Sequence, residues 1–306
     1  MDRSHPVTAS ESTAAATAAR RTAVRPRKLA ALAPGSVDLG PHESSPLPVI
    51  GLAVDYPRGM DVPAHSHAHS QLLYAVQGVL EVRTATGRWL VPPSKAVWLA
   101  PGVAHSIHMP AGRGAAGAVR VRSLLIDTRK LGLRQRQGLP PKDCVIEVSS
   151  LLRALISEVA HWPVDAPRGR REHLLVQLLI EELSLPAEMP LHLPWPDAPR
   201  FHALCERLLA EPGDARTAED CAAGLAMSAK TFHRHFEKST GLSFGRWRQR
   251  ARLLGSLPAL LAGAPVMQVA LDAGYESHSA YSLAFKAQMG VSPSRFAAQA
   301  RAQGAS

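Results

Sequence analysis

The chain has 306 residues, 46% of them hydrophobic, and no apolar run approaches the ~20 residues that a membrane-spanning helix needs. This excludes a helical membrane protein and leads us to expect a soluble, two-domain chain. A formal charge of +10, from 35 Lys and Arg against 25 Asp and Glu, favours a polyanionic partner without specifying any sequence on it.

The amino-terminal residues hold Arg20, Arg21, Arg25, Arg27 and Lys28 among Ala, Ser and Thr, with no compact apolar core of a secretory signal. We expect a disordered basic tail over 1–35 that adds nonspecific electrostatic attraction. Cys144, Cys205 and Cys221 are scattered without paired spacing. That predicts neither a disulfide framework nor a zinc ribbon, and it suits a reducing cytoplasm.

Residues 36–130 change character. The runs VIGLAVDYP, QLLYAVQG, VLEVRTATG, RWLVPP, AVWLAPG, HSIHMP and VRVRSLLID are short and strand-like, broken by Gly and Pro. Closely spaced strands of this kind predict a sandwich or barrel. Within GMDVPAHSHAHSQLLYAVQG, His65 and His67 are two apart, so on a strand both project to one face. This stretch resembles the first motif of the cupin superfamily, a small jelly-roll barrel. Gly59, His65, His67 and Gly78 match the motif, and Gln71 stands where it has an acid. In PGVAH, His105 falls where the second cupin motif has its histidine, and Met109 replaces a closing Asn. The resemblance implies an effector pocket of His65, His67, Gln71 and His105; Trp98 is expected as a wall, because aromatic faces commonly line effector cavities. Three uses stay open: a divalent metal on His65, His67 and His105, a metal-free polar pocket for an organic effector, or histidines satisfied structurally. Gln71 weakens the metal reading, because an amide is a poorer partner for a cation than a carboxylate.

Over 131–185, LLRALISEV and EHLLVQLLIEEL carry apolar residues at helical spacing. The stripes are Leu151, Leu152, Leu155, Ile156 and Val159, then Leu174, Leu175, Leu178, Leu179 and Leu183. They either cover the barrel or join two chains into a homodimer. The segment 186–199 lies in PAEMPLHLPWPDAPR, whose five prolines predict an extended, semi-rigid interdomain linker.

From 200 to 301 the chain repeats one pattern. Thr217 is placed to cap a helix holding Cys221, Ala222 and Leu225. Ser228 caps the next, with Phe232 and Phe236 inward, Lys230, Thr231, His233, Arg234 and Lys238 outward, and Gly241 ending it. Downstream, Val266, Val269, Ala270 and Ala273 form one apolar face, Gly274 turns, and Ser277 caps a second helix. There Ala280, Tyr281, Ala284 and Phe285 face inward, His278, Ser279, Ser282 and Lys286 face outward, and Gly290 closes it. Two short helices joined by a tight turn, the second with a polar outer face, form the DNA-reading helix-turn-helix unit. A linking helix with Arg246, Arg248, Arg250 and Arg252 joins the two copies; its arginines either contact phosphates or are simply solvated.

SAKTFHRHFEKSTGLSFGRWRQRARL and VALDAGYESHSAYSLAFKAQMGVSPSRF resemble the AraC/XylS family of bacterial transcription regulators. The resemblance implies an α+β chain: an N-terminal cupin-type jelly-roll barrel with flanking helices, then a C-terminal all-α domain with two helix-turn-helix motifs. It implies base contacts from Lys230, His233 and Arg234, and from His278, Ser279 and Ser282. Expected partners are double-stranded DNA, a small-molecule effector, RNA polymerase and a second copy of the chain, in a bacterial cytoplasm, with activation the expected output. The alternative is a cupin-type metal-dependent enzyme, dioxygenase-like, with an appended helical domain. Three residues depart from the family pattern: Ala226 replaces a turn glycine, Leu283 an often polar position, and Pro258 is expected to kink the linking helix.

Overall fold

A computed structural model describes residues 47–93, 95–110, 118–164, 168–184 and 188–304; the basic tail expected over 1–35 lies outside them. Eight strands come first: β1 (Val49–Tyr56), β2 (Asp61–His65), β3 (Ser70–Gln77), β4 (Leu80–Thr84), β5 (Gly87–Val91), β6 (Lys95–Leu99), β7 (His105–His108) and β8 (Val119–Ile126). They are followed by α1 (Leu133–Gly138), β9 (Cys144–Glu147), α2 (Ser150–Val159), α3 (Arg170–Leu183), β10 (Glu188–Met189) and β11 (His192–Pro194). The helical part holds α4 (His202–Ala210), α5 (Ala218–Ala223), α6 (Ala229–Thr240), α7 (Phe244–Leu261), α8 (Val266–Asp272), α9 (His278–Met289) and α10 (Pro293–Gly304).

The strands form two antiparallel sheets, ordered β1-β8-β3-β6-β9-β10 and β11-β5-β4-β7-β2. Alternation along each strand decides what lies between them. Leu73, Ala75, Val97 and Val121 join the core shared with the second sheet, whereas Leu72, Tyr74, Trp98 and Leu124 point the other way. That outer face is covered by α2 and α3 through Leu152, Leu155, Ile156, Val159, Leu179, Ile180 and Leu183. Burying each such side chain contributes roughly 1.5–3 kcal/mol. The two apolar stripes therefore cover the sheet, while Leu151, Leu174 and Leu178 stay exposed.

The proline-rich stretch is not a free linker. β10 pairs with β9, and β11 adds an edge to the second sheet by pairing with β5, His192 opposite Trp89. Edge strands tolerate proline because one row of their backbone groups has no partner strand, and Pro194 occupies such an edge. Between the prolines, Leu191 and Leu193 are fully buried. The segment is extended, as its composition predicts, but sheet pairing and burial hold it down.

The helical domain is organised around Phe201, Phe232, Phe236, Phe244 and Trp247, whose rings meet mostly edge to face at 5.0–5.9 Å. α7 runs unbroken through Pro258; its 18 residues span ~27 Å at 1.5 Å per residue.

Candidate nucleic-acid interface and sensor pocket

Each helix-turn-helix copy is set by short-range chemistry. Thr217 and Asp220 form a capping box over α5: the Thr217 N–H donates to the Asp220 carboxylate at 2.8 Å, and the Asp220 N–H donates to Thr217 Oγ1 at 3.2 Å. The Thr217 N–H, joined by the Thr217 hydroxyl donating to the same carboxylate at 3.0 Å, holds the Asp220 carboxyl below its usual range. Ser228 Oγ accepts from the Thr231 N–H at 3.3 Å, starting α6, and Gly241 ends it in the left-handed region at φ 71°. In the second copy Ser277 Oγ accepts from the Ala280 N–H at 3.2 Å, and Gly290 ends α9 at φ 76°.

The turns match in their bonding. The Met227 N–H donates to Ala222 O at 3.0 Å, and the Tyr275 N–H donates to Ala270 O at 2.9 Å. Both turns pass through the left-handed region, at Gly274 (φ 76°) and at Ala226 (φ 53°), where Ala226 alone among the described non-glycine residues has positive φ.

On α6, Phe232 and Phe236 are buried; Lys230, His233 and Arg234 are exposed, and Thr231 is half-buried. On α9, Tyr281, Phe285 and Met289 are buried, His278 and Ser279 exposed, and Ser282 half-buried. Leu283 is 75% exposed, an apolar side chain on the outer face of α9.

The linking-helix arginines divide differently from either sequence reading. Arg248 donates to the carbonyls of Arg216 and Asp214, and Arg252 to the carbonyl of Pro212 at 2.8 Å. Four residues apart on one face, they clamp the loop between α4 and α5. Arg250 reaches His192 O at 3.4 Å, and Arg246 alone of the four is exposed. Nothing in the sequence near α7 points to loop carbonyls more than thirty positions away.

In the barrel, His65 ends β2 directly opposite His105, which begins β7. His67 lies in the turn into β3, where Gln71 points inward. The three imidazoles converge, with ring centres 4.3 Å (His65–His105), 5.3 Å (His67–His105) and 6.1 Å (His65–His67) apart. All three are buried, and one ligating atom from each lies within 4.8 Å of the others. Each Nδ1 sits against a backbone carbonyl: His65 on Pro63 O at 2.8 Å, His67 on His69 O at 2.8 Å and His105 on Val103 O at 2.9 Å. A carbonyl only accepts, so each Nδ1 carries a proton; in neutral His65 and His105 this leaves Nε2 a lone pair, while His67 Nε2 lies 3.2 Å from Gln71 Oε1. Burial pushes His105 down to about 4 and also lowers His65, which keeps both neutral. His105 Nε2 is buried without a hydrogen-bond partner. Three imidazoles oriented through Nδ1, one of them with an orphaned Nε2, fit a divalent metal.

Beside His65 and Gln71 lies a small cavity walled by Val54, Tyr56, Leu73 and Val121. Ser123 lines it too and accepts from Gln71 Nε2 at 2.9 Å. Sequence reading missed Ser123, although its alternation with Val121 and Val119 on β8 places it on the inner face. Trp98 is a correction: it lies on the opposite side of the sheet, under α2 and α3, and walls no part of the cavity. β6 is buried on both faces, so its composition could not say which way the indole points.

Fold and site together define a class: a DNA-binding regulator with a β-sheet ligand-binding domain ahead of a double helix-turn-helix domain. A profile of the AraC-like ligand binding domain matches residues 49–184, and a helix-turn-helix domain profile matches 221–299. The HTH-type transcriptional regulator NimR of Escherichia coli is 30% identical over 237 residues, covering 78% of this chain and 82% of NimR. The regulator RipA of Corynebacterium glutamicum is 32% identical over 103 residues, 34% of this chain and 31% of its own. Among solved structures, ToxT from Vibrio cholerae is 12% identical, covering 82% of this chain and 98% of ToxT, at a TM-score of 0.34. The chain belongs to the AraC family of helix-turn-helix transcription regulators. No helix among the described residues is long and apolar enough to cross a membrane.

Proposed function

We propose that the chain is a sequence-specific transcription activator of the bacterial cytoplasm, controlled by a small molecule bound in its barrel. Lys230, Thr231, His233 and Arg234 on α6, with His278, Ser279 and Ser282 on α9, read base edges of double-stranded DNA, and Arg246 contacts phosphate. The protein acts as a homodimer through the exposed leucines of α2 and α3, and engages RNA polymerase from the promoter.

One observation carries this reading: the strand segment that closes the sensor's sheet also holds the DNA-binding domain. Trp247 on α7 donates to Pro194 O at 2.7 Å, and Gln288 on α9 donates to Pro190 O at 3.2 Å. Arg88 on β5 pairs with Glu206 on α4 and lies 4.1 Å over the Trp195 ring. An effector that binds one arrangement of this strap more tightly than another shifts the population able to place both reading helices on DNA.

The alternative of a dioxygenase-like enzyme is weaker. Among the described residues no carboxylate joins the group of His65, His67 and His105. Footprinting with the full chain tests the main reading. Two protected patches about one duplex turn (~34 Å) apart are expected; protection no better than on random DNA overturns it.

A further inference from the structure

The two reading helices carry opposite chemistry on one frame. Counted from their caps, Ser228 and Ser277, the buried residues of α6 and α9 fall in step: Phe232 with Tyr281, Phe236 with Phe285 and Thr240 with Met289. Arg234 stands two residues past Phe232 and Leu283 two past Tyr281, so the leucine holds the place of the arginine. At ~100° per residue, Leu283 points directly away from the face formed by Tyr281 and Phe285. It is 75% exposed, more than any other large apolar side chain among the described residues. Ala280, given an inner place by its spacing, is exposed as well. Around the leucine Ser279 takes the place of Lys230, Ala280 that of Thr231 and Ser282 that of His233, each smaller than its counterpart.

The strip is apolar, yet its surroundings suit a polyanion. α9 carries no carboxylate, and Lys286 is exposed on it. Arg295 and Arg301 are exposed on α10, which packs against α9 through Phe296 and Phe285, ring centres 5.5 Å apart. We propose that Leu283, with Ala280 beside it, reads thymine through its C5-methyl group in the major groove, so that α9 selects thymine at the place where α6 selects guanine. The proposal rests on the regulator reading above and names the base that its second helix prefers. The thymine methyl is the one apolar feature that the major-groove base edges offer. An isobutyl side chain set against it buries hydrocarbon on hydrocarbon. Over a G·C edge the same side chain covers donors and acceptors without pairing them, which is unfavourable. The small side chains around Leu283 leave room for the helix to come close enough for that contact.

The test uses the full-length chain and an operator recovered by binding-site selection. Each thymine of that operator is replaced in turn by deoxyuridine, which lacks only the methyl group. One or two thymines in a single half-site should cost the parent chain about fourfold in affinity when replaced, which is what burying one hydrocarbon group contributes. Leu283→Ala, at an exposed site where alanine favours the helix, should bind the unmodified operator at least about fourfold more weakly. It should also be indifferent to uridine at those same thymines. An operator insensitive to uridine at every thymine, or a uridine profile identical in Leu283→Ala and the parent, overturns the inference and leaves the regulator reading standing. Selection that recovers no shared sequence overturns that reading, and this inference with it.

Discussion

His192 stacks on Trp89, ring centres 3.9 Å apart and planes 16° from parallel, so the first residue of β11 lies flat on a strand of the sensor sheet. The fit depends on Gly87: a Cβ there would run into the His192 ring and come within 3.0 Å of Leu193 O. Gly87→Ala should therefore lift β11 from β5 and uncouple effector from DNA. The expected result is DNA affinity that no longer responds to effector, measured by titration with and without it, while the isolated response of the barrel to its ligand persists.

Trp247→Phe probes the other side of the same strap. The ring volume is largely kept, but Pro194 O loses its donor at 2.7 Å in a partly buried contact. Losing such a hydrogen bond costs about 1 kcal/mol. Chemical denaturation should show that loss, and unchanged stability would mean the bond contributes nothing.

The two turns give opposite expectations for one substitution. Ala226 holds φ 53° without the freedom of glycine. Ala226→Gly should relieve ~1 kcal/mol of left-handed strain, partly offset by added chain entropy, and raise the melting temperature slightly. Gly274→Ala should be far worse. Beyond its φ of 76°, a Cβ would lie 2.8 Å from Pro212 O and 3.0 Å from the Arg252 guanidinium, disturbing the clamped loop.

How much of this was legible follows from distance along the chain. Ser228, Ser277, Gly241 and Gly290 act on backbone groups within four residues, so spacing alone placed both reading helices. His65 and His67 do converge, but not as the strand pair that their spacing predicts, since β2 ends at His65 and His67 lies in the turn; resemblance supplied His105. The strap was not legible, because proline content predicts extension but cannot say that an extended edge finds β5. Arg248 and Arg252 were not legible for the same reason, their acceptors being loop carbonyls brought close only by the fold. Trp98 failed because AVWLA is apolar at every position, so alternation left its side undecided.

Acid should loosen the α4–α5 loop first. The Arg216 guanidinium beside it holds the Asp214 carboxyl at about 2, against 3.8 for a free one. A lowered folded-state value means stability present at neutral pH and lost as pH falls from about 4 through about 2. Asp127, likewise held down by Arg129, loses its share in the same direction. Asp214→Asn should be less stable than the parent at pH 7, and the gap should close toward pH 2 in unfolding curves. A gap independent of pH would show that the ion pair is not its source.

Leu174 and Leu178 are exposed one turn apart on α3, at 53% and 41%. Leu178→Glu places a charge on that face without touching Leu179, Ile180 or Leu183 beneath it. Sedimentation should show a dimer becoming a monomer with unchanged circular dichroism. A parent chain that is already monomeric would refute the dimer.

Arg234 gives the most direct measurement of base reading. It is exposed on α6, with the helix held beneath it by Phe232 and Phe236, and its guanidinium lies 3.4 Å from His235 Nε2. A guanidinium free to present two parallel donors matches the O6 and N7 acceptors of guanine, worth ~1–3 kcal/mol of discrimination. Arg234→Ala should therefore relax base preference at one operator position, roughly tenfold to a hundredfold in relative affinity, and leave the others unchanged. Arg246→Ala, at the start of α7, should instead weaken all sequences alike and reduce the salt dependence by about one phosphate contact. Binding-site selection at two salt concentrations separates these outcomes. If Arg234→Ala behaved as Arg246→Ala is expected to, Arg234 would be a backbone contact, and the base reading of α6 would fall to Lys230 and His233.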